Sequence, residues 1–348
     1  MARVAIAVVG AGAIGRKHIA ALAASGAARL AAVVDPAPEA AALAAGAGVP
    51  HLPGLGALAT ADGGAVEGVI LATPTALHLP QALECIARGW PVLVEKPVAA
   101  TAAEAAELAD AAAAAGVPVL VGHHRRHNPR IAAARALLAQ GGLGRVVAVQ
   151  ASVLLCRPDD YFRPDWRRAP GAGPLLTNLI HEIDTLRHLL GEVTAVQAAA
   201  SNAIRGFAVE DSAAILLHFA SGALGTVAVS DAAAAPRSWE LTAGENPDYP
   251  GVAGEGCIAI SGTLGALDLP GLRLWRHAGG PRGWFTPMQA ETLPVTDADP
   301  LLHQIDHFAA VIRGRAAPLV DAADAGRSVA GVDAILRATR MGLRETVA

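Results

Sequence analysis

The stretch Val4-Ala5-Ile6-Ala7-Val8-Val9-Gly10-Ala11-Gly12-Ala13-Ile14-Gly15 decides how the rest of the chain is read. Its six leading apolar residues do not alternate with polar ones, which suits a strand covered on both faces of a parallel sheet. Each glycine then has its own use. Gly10 permits a tight turn, Gly12 lets the backbone approach a pyrophosphate, and Gly15 lets the following helix pack closely on the strand. Arg16 to Ser25 has helical periodicity, so the turn feeds a helix N-terminus whose open N–H groups attract an anion. Leu30 to Val34 reads as a second strand, and Asp35 stands at its end, 20 residues past Gly15. A carboxylate there accepts hydrogen bonds from ribose hydroxyls and repels a 2′-phosphate, which implies NAD rather than NADP. Gly10, Gly12, Ala13, Ile14, Gly15 and Asp35 are the first candidate cofactor-binding residues.

Farther along, Val66 to Ala72 reads as a strand that ends in Thr73-Pro74-Thr75, followed by a helix carrying His78. Ligands collect at the carboxyl ends of strands in open sheets, so Thr73 is placed to touch a dinucleotide; alternatively Thr73 or Thr75 only caps the helix. Pro91 to Val94 is the next strand and delivers Glu95-Lys96-Pro97. A lysine at a strand mouth, with proline stopping the element behind it, stands where a parallel sheet exposes its ligands, and the reading sets Lys96 against a nicotinamide. Thr101 caps an alanine-rich helix that runs to Ala115 and stops at Gly116, and Val117 to Val121 is one more strand. Alternating strands and helices specify a doubly wound α/β sheet over residues 1–122.

Composition sets the outer limits. With 348 residues the chain is long enough for two cores, and 53% apolar against 17% charged residues leaves ample material for burial. A net charge of -4 and a pI near 6.3 give no basic field for nucleic acid. The three cysteines, Cys85, Cys156 and Cys257, show no metal-ligand spacing and read as reduced, mostly buried thiols. The apolar run after Arg3 flows into the glycine turn, and later apolar stretches are broken by Gly, Pro or charge, so neither a leader nor a membrane span is expected and the setting reads as cytoplasmic.

Residues 123–348 read as a second, α+β domain. His123-His124-Arg125-Arg126-His127-Asn128-Pro129 is a polar cluster without the carboxylate or cysteine a metal would want, and its side chains read mostly as a solvated linker. After a helix to Gln140, strand-like segments follow at Val146–Leu155, Val193–Ala200, Ala213–Phe219, Leu224–Ser230, Trp239–Thr242 and Cys257–Ser261. Too little helix separates the later ones for parallel crossovers, which implies a mostly antiparallel open sheet. Between the first two lies Gly171-Ala172-Gly173-Pro174, opening a helix on which Thr177, His181, Asp184 and His188 form one polar stripe. Such a stripe needs hydrogen-bond partners or a cleft; His181 alone reads either as a satisfied core histidine or as a catalytic base, and the glycine-rich turn, the stripe and Glu95-Lys96-Pro97 together favour the base. Just before it, Tyr161-Phe162-Arg163-Pro164-Asp165-Trp166-Arg167-Arg168 holds much of the chain's scarce aromatic content. Tyr161, Trp166 and Arg167 either recognise an oxygen-rich or carboxylate-bearing substrate or form a surface loop anchored by Trp166. Two amphipathic helices split by Pro318, running from Leu301 to Leu343, read as scaffold.

The glycine triplet, the Thr73-Pro74-Thr75-x-x-His78 turn, Glu95-Lys96-Pro97 and the His181 helix resemble the glucose-fructose oxidoreductase and inositol dehydrogenase family, Gfo/Idh/MocA, over nearly the whole chain. The resemblance implies a Rossmann domain binding NAD through Pro74, His78, Glu95 and Lys96 besides the residues above, with Arg125 and Asn178 bordering the substrate. It also implies a homodimer or homotetramer built through the second sheet. The substrate implied is a small polyhydroxylated molecule (a sugar, cyclitol or polyhydroxy acid), with Lys96 and His181 as the catalytic pair. The same resemblance leaves two other functions open, NAD-dependent glycoside cleavage and a non-catalytic NAD-binding sensor. Four residues before the histidine the family usually has an aspartate, and this chain has Thr177.

Overall fold

A computed structural model describes residues 2–58, 66–279 and 281–347. The chain divides into two compact units, Met1–His127 with Asp299–Val329, and Asn128–Ala298 with Ala330–Ala348.

In the first unit β1 (Val4–Val9), α1 (Ala13–Ala24), β2 (Ala28–Val34), α2 (Ala40–Gly46), β3 (His51–Leu52), α3 (Leu55–Leu58), β4 (Gly68–Leu71), α4 (His78–Ala87), β5 (Val92–Val94), α5 (Ala102–Ala115) and β6 (Val119–Val121) follow one another. The strands form a parallel sheet in the order β3-β2-β1-β4-β5-β6, doubly wound as the alternation implied. Every residue of β1 is buried, which is why its sequence is a continuous apolar run. The register pairs Val9 with Val34 and Leu71, Leu71 with Val94, and Val94 with Val121. Gly10, Asp35, Ala72, Glu95 and Gly122 therefore follow the ends of neighbouring strands along one carboxyl edge, with the reversal of strand order between β1 and β4. Thr101 caps α5 by accepting from Glu104 N–H, and Gly116 closes it at φ 64°.

The second unit contains α6 (Pro129–Ala139), β7 (Val146–Cys156), α7 (Pro174–Thr177), α8 (Leu179–Leu190), β8 (Val193–Ser201), β9 (Ser212–Phe219), β10 (Leu224–Ser230), β11 (Ala232–Arg237), α9 (Trp239–Thr242), β12 (Ile258–Gly262), β13 (Ala266–Leu269), β14 (Arg273–His277) and β15 (Met288–Thr292). After α10 (Pro300–Ile312) and α11 (Ala322–Met341), β16 (Glu345–Thr346) completes an open sheet in the order β15-β14-β13-β12-β7-β10-β9-β8-β16, with β11 on β7. Only the β7–β10 pair is parallel among the described pairings, so the sheet is mostly antiparallel. Val149, Ala151 and Val153 of β7 are buried on one face while Gln150 is exposed on the other.

Several expectations are corrected. A single boundary after residue 122 gives way to a division in which α10 joins the first unit, because Ile305, Phe308 and Ala309 are buried in one core with Val4, Ile6, Val8 and Leu22. Trp239–Thr242 is one helical turn rather than a strand: Ser238 precedes it in extended conformation, the Thr242 hydroxyl donates to the Ser238 carbonyl at 2.8 Å, and Gly244 at φ 68° ends it. The His-Arg cluster is not a solvated linker, since His123, Arg125, Arg126 and Asn128 are buried. Asn128 caps α6 by accepting from Arg130 N–H, and Arg126 pairs with Asp324. The polar stripe does not lie on one unbroken helix, because α7 and α8 are separated at Asn178. Cys85 and Cys257 are buried, but Cys156 is exposed. Among the described residues no helix is long and apolar enough to cross a membrane, and no cluster of side chains could hold a metal ion.

Candidate active site

The carboxyl edge of the first sheet is built largely from backbone. Gly10 has φ 94°, and a Cβ there would press on the Ala72 carbonyl; a Cβ at Gly15 would overlap the Gly10 carbonyl oxygen. Both are needed for the strand–turn–helix to close. Gly12 differs, because a Cβ there would meet nothing within 4 Å. It stands at the N-cap of α1 without any side-chain cap, so the first N–H groups of the helix, at Ala13, Ile14 and Gly15, receive no side-chain acceptor from it. The Asp35 carboxylate accepts from Ala11 N–H at 2.7 Å and from Ala37 N–H at 2.8 Å, which ties the end of β2 to the turn and leaves each oxygen a further lone pair. An uncapped helix start, a glycine whose missing side chain leaves room, and an adjacent carboxylate fit the pyrophosphate and ribose of a dinucleotide.

Glu95 and Lys96 end β5. Burial alone would raise the Glu95 carboxyl, but a hydrogen bond and charge from His18, with the charges of Lys96 and His124, hold it below the ordinary 4.5. His18 Nε2 lies 2.7 Å from Glu95 Oε1, and Glu95 Oε2 accepts from Lys96 N–H at 3.1 Å. The pair joins α1, which follows the glycine turn, to the lysine. Glu95 is thus an internal strut rather than a group exposed toward a cofactor. His78, expected to bind cofactor, is 1% exposed, and its ring nitrogens face the carbonyls of Thr73 and Pro97, both at 2.8 Å. It braces the edge from behind instead of reaching a ligand. Thr73 donates its hydroxyl to Gln81 Oε1 at 2.7 Å and neither it nor Thr75 caps a helix, while Pro74 is exposed beside it. Arg125 is 3% exposed. Nearby, burial pushes the His127 ring down to about 3, with His307, His124, His303 and Arg126 adding to the effect.

The second unit carries the other candidates. A Cβ at Gly173 would displace the Glu210 carboxylate, which accepts from Leu175 N–H at 3.2 Å. Thr177 and Asn178, expected to support His181 or the substrate, are both engaged by Arg157, whose Nη2 donates to Thr177 Oγ1 at 3.1 Å and to Asn178 Oδ1. His181 N–H donates to the Asn178 carbonyl at 3.0 Å, so the turn continues across the break, and the His181 side chain is buried at 8% exposure. Farther along the stripe, His188 Nδ1 accepts from Arg135 at 3.0 Å. Tyr161 is half-buried under two guanidinium groups, Arg157 at 4.4 Å and Arg167 at 4.1 Å from its ring centroid. Trp166 is 61% exposed, with the Arg167 guanidinium 5.1 Å from its ring centroid, and the buried aromatic of the loop is Phe162.

The sequence reading missed His18 and Arg157. His18 had a signal, since it lies three residues after Gly15 on the inner face of α1 with Leu22, where a polar side chain needs a partner. Arg157 had none, because its partners lie 20 and 21 residues away across an irregular loop. A cavity of about 1100 Å³ on the open face of the second sheet, lined by Gln150, Ser152, Asp268 and Arg273, contains none of the candidate residues.

Comparison with known proteins matches these features. A family model described as the oxidoreductase family, NAD-binding Rossmann fold, covers residues 4–123, and one described as the GFO/IDH/MocA C-terminal domain covers residues 131–268. The chain is 33% identical over 234 residues to the rhizopine catabolism protein MocA of Rhizobium meliloti, across 66% of this chain and 72% of that protein. It is 37% identical over 136 residues to scyllo-inositol 2-dehydrogenase (NADP(+)) of Bacillus subtilis (strain 168), across 38% of this chain and 37% of that protein. An oxidoreductase from Agrobacterium radiobacter, solved with NAD+, L-tartaric acid and magnesium, superposes with a TM-score of 0.82 at 22% identity and 99% coverage of each chain, which speaks for the fold. With the two family models matched in order, the chain belongs to the Gfo/Idh/MocA family of oxidoreductases, and residues 4–123 are that family's NAD-binding Rossmann fold.

Proposed function

We propose that this protein is an NAD-dependent dehydrogenase or reductase acting on a CH–OH carbon of a sugar, cyclitol or polyhydroxy acid. The observation that carries the reading is the carboxyl edge of the first sheet, where an uncapped helix start, Asp35 and Lys96 lie at the ends of β1, β2 and β5. The backbone of Gly10 to Gly15 holds the pyrophosphate, Asp35 the ribose, and Thr73 and Pro74 border the dinucleotide. Bound NAD supplies a hydride acceptor at nicotinamide, and the remaining work belongs to side chains. His181 takes the proton of the reacting hydroxyl at an imidazole nitrogen, and the Lys96 ammonium stabilises the developing alkoxide by charge and hydrogen bonding. Glu95 and His18 hold Lys96 in place through the main chain at the end of β5.

NAD is preferred to NADP because a 2′-phosphate would meet the Asp35 carboxylate, although the Bacillus relative is named for NADP(+). The open face of the second sheet, with exposed Gln150, Gln197, Thr226 and Ala228, joins copies of the chain into a dimer or tetramer. The setting is the cytoplasm, consistent with three free cysteines. The test is NADH absorbance across a panel of polyols, aldoses, inositols and sugar acids, run with NAD and with NADP. Turnover with NAD on a hydroxylated carbon is expected; release of a free sugar from glycosides without NADH, or binding of NADH without any turnover, would overturn the reading.

A further inference from the structure

The environment of Arg157 carries information about the substrate. Its side chain is 12% exposed, and Nη2 is spent on the neutral groups of Thr177 and Asn178. Its Nη1 atom is buried and makes no hydrogen bond; the nearby Asp231 carboxylate lies 3.9 Å away. That carboxylate is shared with a second guanidinium, since Asp231 Oδ1 takes Arg205 Nε at 3.0 Å while Oδ2 is the oxygen 3.9 Å from Arg157. Asp211 is equally occupied, with Oδ2 accepting from Ile204 and Arg205 N–H and Oδ1 from the Ser212 hydroxyl. Glu210 accepts from Leu175 N–H, and Asp159 is fully exposed 3.6 Å from Arg205 rather than from Arg157. On the same tyrosine ring, Arg167 gives Nη1 to the Tyr161 carbonyl at 2.8 Å and keeps its Nε buried and without a hydrogen bond.

Two guanidinium groups stacked on one ring therefore each hold a buried donor with no acceptor. A buried unsatisfied donor costs about 1–3 kcal/mol, and more on a charged group, so each donor is open to an oxygen brought by a ligand. A planar guanidinium matches a carboxylate through parallel N–H···O bonds. The group lies beside the proposed base, because Thr177 and Asn178 are four and three residues before His181 and the His181 N–H bonds back to Asn178.

We propose that Arg157, with Arg167 beside it on Tyr161, grips a carboxylate of the substrate, so that the protein acts on acidic polyols such as aldonic, uronic or hydroxydicarboxylic acids. At the position where the family usually has an aspartate, this chain has Thr177, whose hydroxyl accepts from the arginine.

The inference rests on the dehydrogenase reading for what happens to the substrate, so binding is measured apart from turnover. Titration calorimetry on the full chain saturated with NADH uses D-glucuronate and D-gluconate against methyl D-glucuronate, sorbitol and D-glucose 6-phosphate. Wild type is expected to bind the acid about 30-fold more tightly than its methyl ester. Arg157→Gln removes most of that ratio, and Arg157→Lys, which keeps charge but loses the planar fork, restores part of it. Arg167→Gln, on a more open side chain, lowers the ratio about fivefold and keeps the test alive if Arg157→Gln does not fold. Equal binding of acid and ester by wild type, an unchanged ratio in these variants, or tighter binding of the phosphate than of the acids would each overturn the proposal. Acid preference with no NADH formed from any acid would support the clamp and sink the dehydrogenase reading instead.

Discussion

At the carboxyl edge of the first sheet, the groups offered to a ligand are mostly main chain, fixed by strand register and by glycines at Gly10, Gly12 and Gly15. Around His181 in the second unit they are side chains, Arg157, Arg167 and Tyr161, held by one another and by hydrogen bonds across an irregular loop. The first arrangement is dictated by local spacing and serves any dinucleotide. The second depends on pairings that no local pattern announces.

That contrast can be broken in graded steps. The largest effect is expected from Phe308→Ala, which empties a fully buried position where α10 covers the first sheet and costs about 3–5 kcal/mol. Chemical denaturation followed by NADH binding reads it: dinucleotide affinity should be lost in the same transition, and a variant as stable as wild type would show that α10 is not part of the first unit's core.

Next come two glycines only three residues apart. Gly15→Ala drives a methyl into the Gly10 carbonyl and should destabilise the protein by about 1–3 kcal/mol. Gly12→Ala meets only open space, so its stability should change by no more than about 1 kcal/mol, the loss of a tolerable N-cap residue, while NADH binding weakens at least about tenfold. Equal effects of both on melting and on binding would erase the distinction between a packing glycine and a ligand glycine.

The polar cluster beyond β6 supplies a pH test. Burial, with help from His307, His124, His303 and Arg126, holds the His127 ring at about 3, against 6.5 when unfolded. Between those values the unfolded chain takes a proton that the folded ring refuses, so this contribution to stability is lost as pH falls from 6.5 toward 3. By about pH 5 the loss is about 2 kcal/mol, and His127→Gln should flatten the slope of melting temperature against pH; an unchanged slope would mean the ring is wetter than it looks. The smallest effect concerns cofactor choice. Asp35→Ser should lower the ratio of NAD to NADP affinity about tenfold, read by competitive binding, and an unchanged ratio would remove Asp35 from the ribose site.

Much of the first unit was legible because its signals are local. The apolar run of β1, the glycine spacing, the Thr101 cap and Gly116 each state their physical role within a few residues. The open second sheet was legible from alternation along strands such as β7 and β10. The turn at Trp239–Thr242 was not, because four residues are too few for a period to separate helix from strand, and only Ser238 and Gly244 mark it. Nor was the break at Asn178, where the apolar spacing runs on although the backbone does not. The candidate site divides the same way: Asp35 and Lys96 follow strands, whereas the bond of His18 to Glu95 spans 77 residues and the hold of Arg157 on Thr177 and Asn178 comes from a separate loop.

The most direct test of the account measures turnover and NADH affinity together in His181→Ala and Lys96→Ala, on the best substrate of the panel. The account predicts that kcat falls about 10²–10⁴-fold in His181→Ala and about 10²–10³-fold in Lys96→Ala, with NADH affinity in His181→Ala within about twofold of wild type. Full turnover in either variant, or loss of NADH binding in His181→Ala, would contradict it.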